Sequence, residues 1–311
     1  MKKLVLLVLS LAFLLTNASA QLLFQDSFNY TASSLLAPEN DTTGTPNPGL
    51  SNGTYNWRYA GAGGANNNAP GIASAGLSYD DVSGYSGLPF ASGNSVLFDA
   101  TQIGSARIQV TPSAISSGTV YWSALLKVND VTSLNNVNGA MLGGFNNTVG
   151  PGTLPTAVGA VLRIRQDPTT ASQYDIGTAV GTATGTAIAW SGPQNTGATL
   201  FITASYQFVS GTANDVVNLW INPNQSDFGD ATAPTATLTK TGGGTDPFTS
   251  LSTFNLRNVN TVGTSWSAQL DELKVGNNWT DVMPSAVPEP ACSGMVGLAL
   301  LLFAAHRRLR Q

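Results

Sequence analysis

From residue 21 to residue 282 the chain shows no helical repeat and is cut by clusters of glycine, asparagine and proline into many short β-rich runs. Residues 119–128 set the pattern. Val120, Trp122, Ala124 and Leu126 fall on one face, and Tyr121, Ser123 and Lys127 mostly on the other, which is the alternation of a strand with one buried side. Trp122 and Trp220, both in alternating runs, are expected in the core. Further strands are expected at residues 21–28, 95–100, 106–110, 140–145, 158–165, 173–176, 199–209, 216–221, 236–239, 254–257 and 267–275. Many short runs joined by polar turns bury their apolar faces most readily as two antiparallel sheets packed face to face. No linker divides this stretch and no unit of fixed length repeats through it. One all-β sandwich over residues 21–283 is therefore expected, rather than two small domains or a solenoid. The stretch exceeds an immunoglobulin domain and lacks its Cys, Trp, Cys core, so a jelly roll is the favoured sandwich.

The two ends have a different character. Lys2 and Lys3 precede an apolar run over residues 4–15, and Ala18-Ser19-Ala20 is a small-residue cleavage site before Gln21. This is the pattern of a signal peptide over residues 1–20, with the Sec machinery and signal peptidase as its partners and Ala18, Ala20 and Gln21 at the cut. At the other end Val287-Pro288-Glu289-Pro290 leads into an apolar run over residues 291–305 and a basic tail over 306–311 that holds Arg307, Arg308 and Arg310. Cationic side chains resist crossing a bilayer and stay on the cytoplasmic side. As a helix the apolar run would cover about 22 Å, short of the roughly 30 Å hydrocarbon core, which suits a transient hold better than a permanent span.

This order of Pro-Glu-Pro, apolar helix and basic stop resembles the PEP-CTERM sorting signal of exported Gram-negative bacterial proteins. The resemblance implies that residues 284–311 are a sorting signal read by an exosortase. It implies a brief stay in the inner membrane, followed by a place on the cell surface or in the extracellular matrix. The only cysteine, Cys292, lies inside this apolar run, so the body has no intramolecular disulfide and depends on its core for stability.

Charge narrows the function classes. Residues 21–289 carry 8 basic and 17 acidic side chains, a net charge of −9, which disfavours nucleic acid as a partner. The single histidine, His306, is in the basic tail, so the body has none for a Ser-His-Asp or Cys-His system or for a His-built zinc site. The only glutamates are Glu39, Glu272 and Glu289, too dispersed for the carboxylate cluster of a glycosidase strand. Asp80 and Asp81 are consecutive and would face opposite sides of a strand, while Gly242-Gly243-Gly244 lacks the lysine of a phosphate loop. A non-catalytic body is the expectation, and the alternative is a divergent carbohydrate-active enzyme using dispersed aspartates.

The body's own ends carry a second pattern. Leu270, Leu273 and Val275 cannot share one face under strict alternation, so a bulge is expected near Asp271-Glu272. Leu23-Phe24-Gln25-Asp26-Ser27-Phe28 with Tyr30, and Gln269-Leu270-Asp271-Glu272-Leu273-Lys274-Val275-Gly276 with Trp279, resemble the opening and closing strands of LamG-like, concanavalin A-like jelly rolls. The resemblance implies that these strands lie side by side. It also implies a structural Ca²⁺ where they meet, with Asp26 and Asp271 as ligands. Domains of this kind hold sugars or matrix components, so a structural role or polysaccharide binding is expected. Trp57, Tyr59 and Trp190 lie among polar, glycine-rich residues and are the candidate aromatic platform for a sugar ring.

Overall fold

The computed structural model describes residues 22–37, 51–60, 69–90, 93–99, 104–149, 157–181, 187–242, 246–258 and 265–285. In chain order its strands are β1 (Leu22–Asp26), β2 (Arg58–Tyr59), β3 (Gly71–Ala73), β4 (Ser95–Asp99), β5 (Gly104–Gln109), β6 (Gly118–Asp130), β7 (Ala140–Asn146) and β8 (Gly159–Gln166). They continue with β9 (Gln173–Ala179), β10 (Ala189–Trp190), β11 (Gln194–Asn195), β12 (Thr199–Phe208), β13 (Val216–Ile221), β14 (Leu238–Thr241), β15 (Thr253–Asn258) and β16 (Ser267–Gly276). One short helix, α1 (Trp279–Val282), follows the last strand.

These strands form two antiparallel sheets, as the alternation requires. The first runs β14-β13-β12-β6-β16-β4-β3, with β1 also paired to β16, and the second runs β10-β9-β8-β7-β15-β5-β2, with β11 on β9. Their inner faces make the main core. Val120, Trp122, Ala124, Leu126 and Val128 of β6 enter it, together with Phe145, Leu162, Ile164, Phe254 and Leu256 from the second sheet. The opposite face of the first sheet is covered as well. Tyr121, Leu125, Phe201 and Trp220 pack there against Tyr79, Phe228 and Trp279, which arrive on the 3-10 turn at Tyr79–Asp81, the Gln225–Asp227 turn and α1. Trp122 and Trp220 are thus both buried, on opposite faces of one sheet.

The terminal strands lie side by side. Phe24, Gln25 and Asp26 of β1 pair with Val275, Lys274 and Leu273 of β16. The register of β16 against β6 shifts between Asp271 and Lys274, and Glu272 takes a left-handed φ of 52°. This is the expected bulge, and it lets Leu270, Leu273 and Val275 all reach the core. Immediately after it, the capping box of Asn278 and Asp281 starts α1. Gly276 is required there, because a Cβ would come within 2.3 Å of the Asp281 Cβ.

The signal-peptide residues Ala18, Ala20 and Gln21 lie outside the described residues, as do Pro288, Glu289, Pro290, Cys292, Arg307, Arg308 and Arg310 of the sorting signal. Among the described residues no helix is long and apolar enough to cross a membrane.

Candidate functional site

At the junction of β1 and β16 the two aspartates expected to hold Ca²⁺ are both buried. Asp26 accepts hydrogen bonds from the Phe28 backbone at 2.8 Å, the Tyr30 hydroxyl at 2.6 Å and Trp57 Nε1 at 2.9 Å. Asp271 accepts from the backbone N–H groups of Leu77 and Glu272, each at 2.8 Å. Burial pushes the Asp271 carboxyl up to about 8 and raises that of Asp26. N–H and O–H donors aimed at every oxygen of the pair present positive partial charge to the space a cation would fill. Among the described residues no group of three or more His, Cys, Asp or Glu is placed to hold a metal ion. Through these hydrogen bonds both carboxyls tie strand ends to loops.

The aromatic platform is not assembled. Trp57 is fully buried with its N–H spent on Asp26, and Tyr59 is only 2% exposed. Both turn inward because they belong to the core that includes Phe28, whose ring lies 6.0 Å from that of Trp57. Trp190 is half-buried on β10, at the opposite edge of the second sheet from Tyr59 on β2. Its ring lies over Gly177, where a Cβ would come within 2.5 Å of it, and the Arg165 guanidinium sits 4.4 Å from its centroid. Arg165 is in turn paired with Asp175 at 2.8 Å.

A different constellation occupies the rim. At one end of the sandwich the loop joining β12 to β13 and residues 246–249 enclose a cleft of about 820 Å³. Phe208, Val209, Pro247 and Phe248 supply its apolar side, and Ser116, Asn147, Thr212, Asp215 and Asp246 supply polar groups. The Tyr206 ring lies 5.0 Å from both Phe208 and Phe248, so the aromatic side is stacked against a core residue. The Tyr206 hydroxyl donates to Asp215. Burial, and then that hydrogen bond, push its pKa well up and keep the donor protonated. Asp215 also accepts from Val209 N at 2.7 Å, while Asp246 accepts from Ala213 N at 2.8 Å and from Asp215 N at 3.2 Å. The loop is thus held in place by two carboxylates before any ligand arrives. An aromatic floor beside fixed acceptors can cover the C–H face of a sugar ring and take its hydroxyl protons.

No family model matches the chain, and no curated relative matches it. Solved structures share its outline loosely. The receptor-binding domain of botulinum neurotoxin mosaic serotype C/D is similar at a TM-score of 0.40 and 8% identity, over 78% of this chain and 47% of that one. A protein of unknown function from Shewanella oneidensis MR-1 is similar at 0.35 and 11% identity, over 83% and 93% of the two chains. The potassium-bound carbohydrate recognition domain of Emp46p is similar at 0.32 and 10% identity, over 60% and 84%. The chain spans about half the length of the neurotoxin domains it matches. At these scores the likeness transfers no ligand.

The rim residues escape sequence reasoning because they are apart in the chain. Phe208 ends one strand run, Asp215 precedes the next, and Phe248 sits in a loop far downstream. The one local signal is Gly211 with Asn214-Asp215 between two alternating runs, which marks a hairpin loop but not what faces it.

Proposed function

We propose that the chain is an exported surface or matrix protein whose LamG-like, concanavalin A-like jelly roll holds polysaccharide at the rim cleft without cleaving it. The observation that carries the reading is the pairing of Phe208 and Phe248 with the loop-bound Asp215 and Asp246 around a single cleft. Phe208 is half-buried and so retains surface for contact. The acceptors are immobilised by backbone hydrogen bonds, which lowers the entropy lost on binding. Export and exosortase sorting rest on residues 1–20 and 284–311, with signal peptidase, the exosortase and, briefly, the inner membrane as processing partners. The competing reading, an enzyme using dispersed aspartates, draws on Asp215 and Asp246, which share the cleft. Every Asp215 and Asp246 oxygen already accepts a hydrogen bond from Tyr206 or the loop backbone, which favours a holding role.

Mass spectrometry of the protein recovered from its native envelope tests the sorting half of this reading. A mature chain beginning at Gln21 and ending near the Pro-Glu-Pro motif is expected; material intact at both ends would contradict it. The binding half is tested with an array of neutral polysaccharides probed by the full chain and by Phe208→Ala. Retention that falls about tenfold in the variant, the scale of one lost aromatic contact, is expected. Equal retention would reject the cleft.

A further inference from the structure

The lining of the rim cleft carries charge of one sign. Asp215 and Asp246 are among its residues, and no lysine, arginine or histidine is. Lys240, the only lysine between residues 128 and 273, stands on β14 opposite Val217 and takes no part in the lining. Asp246 is half-buried whereas Asp215 is 3% exposed, so Asp246 is the carboxylate that a ligand reaches first.

The two carboxylates are neighbours. The Asp215 backbone N–H donates to Asp246 at 3.2 Å. After burial and its hydrogen bond to Asp215, the charges of both groups also raise the pKa of the Tyr206 hydroxyl. Like charges brought together in this way repel, and a cation placed between them removes the cost. The loop that carries them is braced from both sides. Gly242 N donates to the Asp215 carbonyl at 2.9 Å, and a Cβ on Gly242 would strike the Ala213 carbonyl. Ala213 itself takes a left-handed φ of 59°, with its N–H donated to Asp246.

Their capacity to accept is not exhausted. An ionised carboxylate offers about four lone-pair sites, and the hydrogen bonds of Asp215 and Asp246 occupy two on each. The donors are the Tyr206 hydroxyl and the backbone N–H groups of Val209, Ala213 and Asp215, all of them neutral. These bonds fix the carboxylates in place without cancelling their charge. The aromatic side of the same cleft adds a second attraction for a cation. The Phe208 and Phe248 rings lie 6.4 Å apart, and Phe208 is half-buried. The face of such a ring attracts an ammonium group.

We infer that the polysaccharide preferred by the rim cleft carries free amino groups, and that an ammonium on a sugar ring seats against Asp246, with Asp215 adding its charge and Phe208 covering the ring. This rests on the rim cleft being the binding site, as proposed above. An ammonium donates charge-assisted hydrogen bonds, which are stronger than those of a sugar hydroxyl. Uronic acids and sulfated sugars fit poorly, because their anions would meet two carboxylates and no cation. An N-acetylated ring can use the aromatic side but brings no charge. The net charge of −9 over residues 21–289 draws a cationic polymer toward the body, and the cleft decides where it is held.

The test is calorimetric titration of the full chain, in mildly acidic buffer where a sugar amine is protonated. The probes are linear oligomers of one length built from glucosamine, N-acetylglucosamine or glucose. The glucosamine oligomer is expected to bind about tenfold more tightly than the other two, with a preference that shrinks as salt rises. Asp246→Asn should bring it down to the level of the glucose oligomer, whose own affinity stays within about twofold. Phe208→Ala should weaken all three. Should Asp246→Asn fail to fold, oligolysine of equal charge decides with the parent chain, and it should bind about tenfold more weakly than the glucosamine oligomer. Equal affinity for the three sugars, all still weakened in Phe208→Ala, would overturn this inference and leave the cleft standing. Unchanged binding in Phe208→Ala would remove the cleft as well. Full preference in a folded Asp246→Asn, oligolysine held as tightly as the glucosamine oligomer, or binding of none of the sugars would each overturn the inference.

Discussion

At the residue scale the most consequential group is Asp271. Its carboxyl is pushed up to about 8 from an ordinary 3.8, first by burial, with Glu272 and Asp26 adding repulsion and two backbone N–H groups opposing. The folded chain therefore holds this proton more tightly than the unfolded chain does. That contribution to stability is complete below the ordinary carboxylate value and fades as pH rises from about 4 through about 8. Asp26, also raised by burial, has the same sign, whereas Asp130 is lowered by its hydrogen bonds from Thr132 and loses its contribution only in stronger acid. The melting temperature is expected to fall between about pH 5 and pH 8 by the equivalent of about 1–3 kcal/mol. Asp271→Asn should flatten that slope even if it lowers stability in acid, and an unchanged slope in the variant would remove Asp271 as its cause. Asp271 was visible in the sequence as a chemically unusual residue. Its role was not, because the donors it meets come from its own bulge and from Leu77, which is distant in the chain.

At the scale of elements, the bulge in β16 was legible because three apolar residues broke the alternation, and apolar side chains have one place to go. Glu272 occupies the left-handed position that creates the bulge, with its carboxylate accepting from Ser27 at 3.1 Å. Glu272→Gly is expected to stay within about 1 kcal/mol of the parent, since a lost hydrogen bond is offset by relief of the positive φ. Glu272→Val should cost about 2 kcal/mol, because a β-branched residue resists this conformation. Denaturant unfolding of both variants checks the pair, and equal stability would contradict the bulge as the controlling feature. The strands β6, β12 and β13 were readable from their own periodicity. The two- and three-residue strands β2, β3, β10 and β11 were not, since so few residues carry no period. Trp57 and Tyr59 misled for a related reason. Their neighbours in the chain are polar and glycine-rich, while their neighbours in space are Phe28 and the core.

At the scale of the whole molecule, the sequence shows an acidic, histidine-poor body between two apolar ends, and the fold adds how its few functional groups are distributed. Aromatic and carboxylate groups meet at one rim. This grouping is not local in sequence, so composition alone could not reveal it. The most direct measurement incubates the full chain with the neutral polysaccharide that the array selects, following both bound polymer and newly released reducing ends. The account predicts binding that falls about tenfold in Phe208→Ala and no reducing ends above a protein-free control. Reducing ends that appear with the parent chain and vanish in Asp215→Asn or Asp246→Asn would contradict it and make the rim cleft an active site.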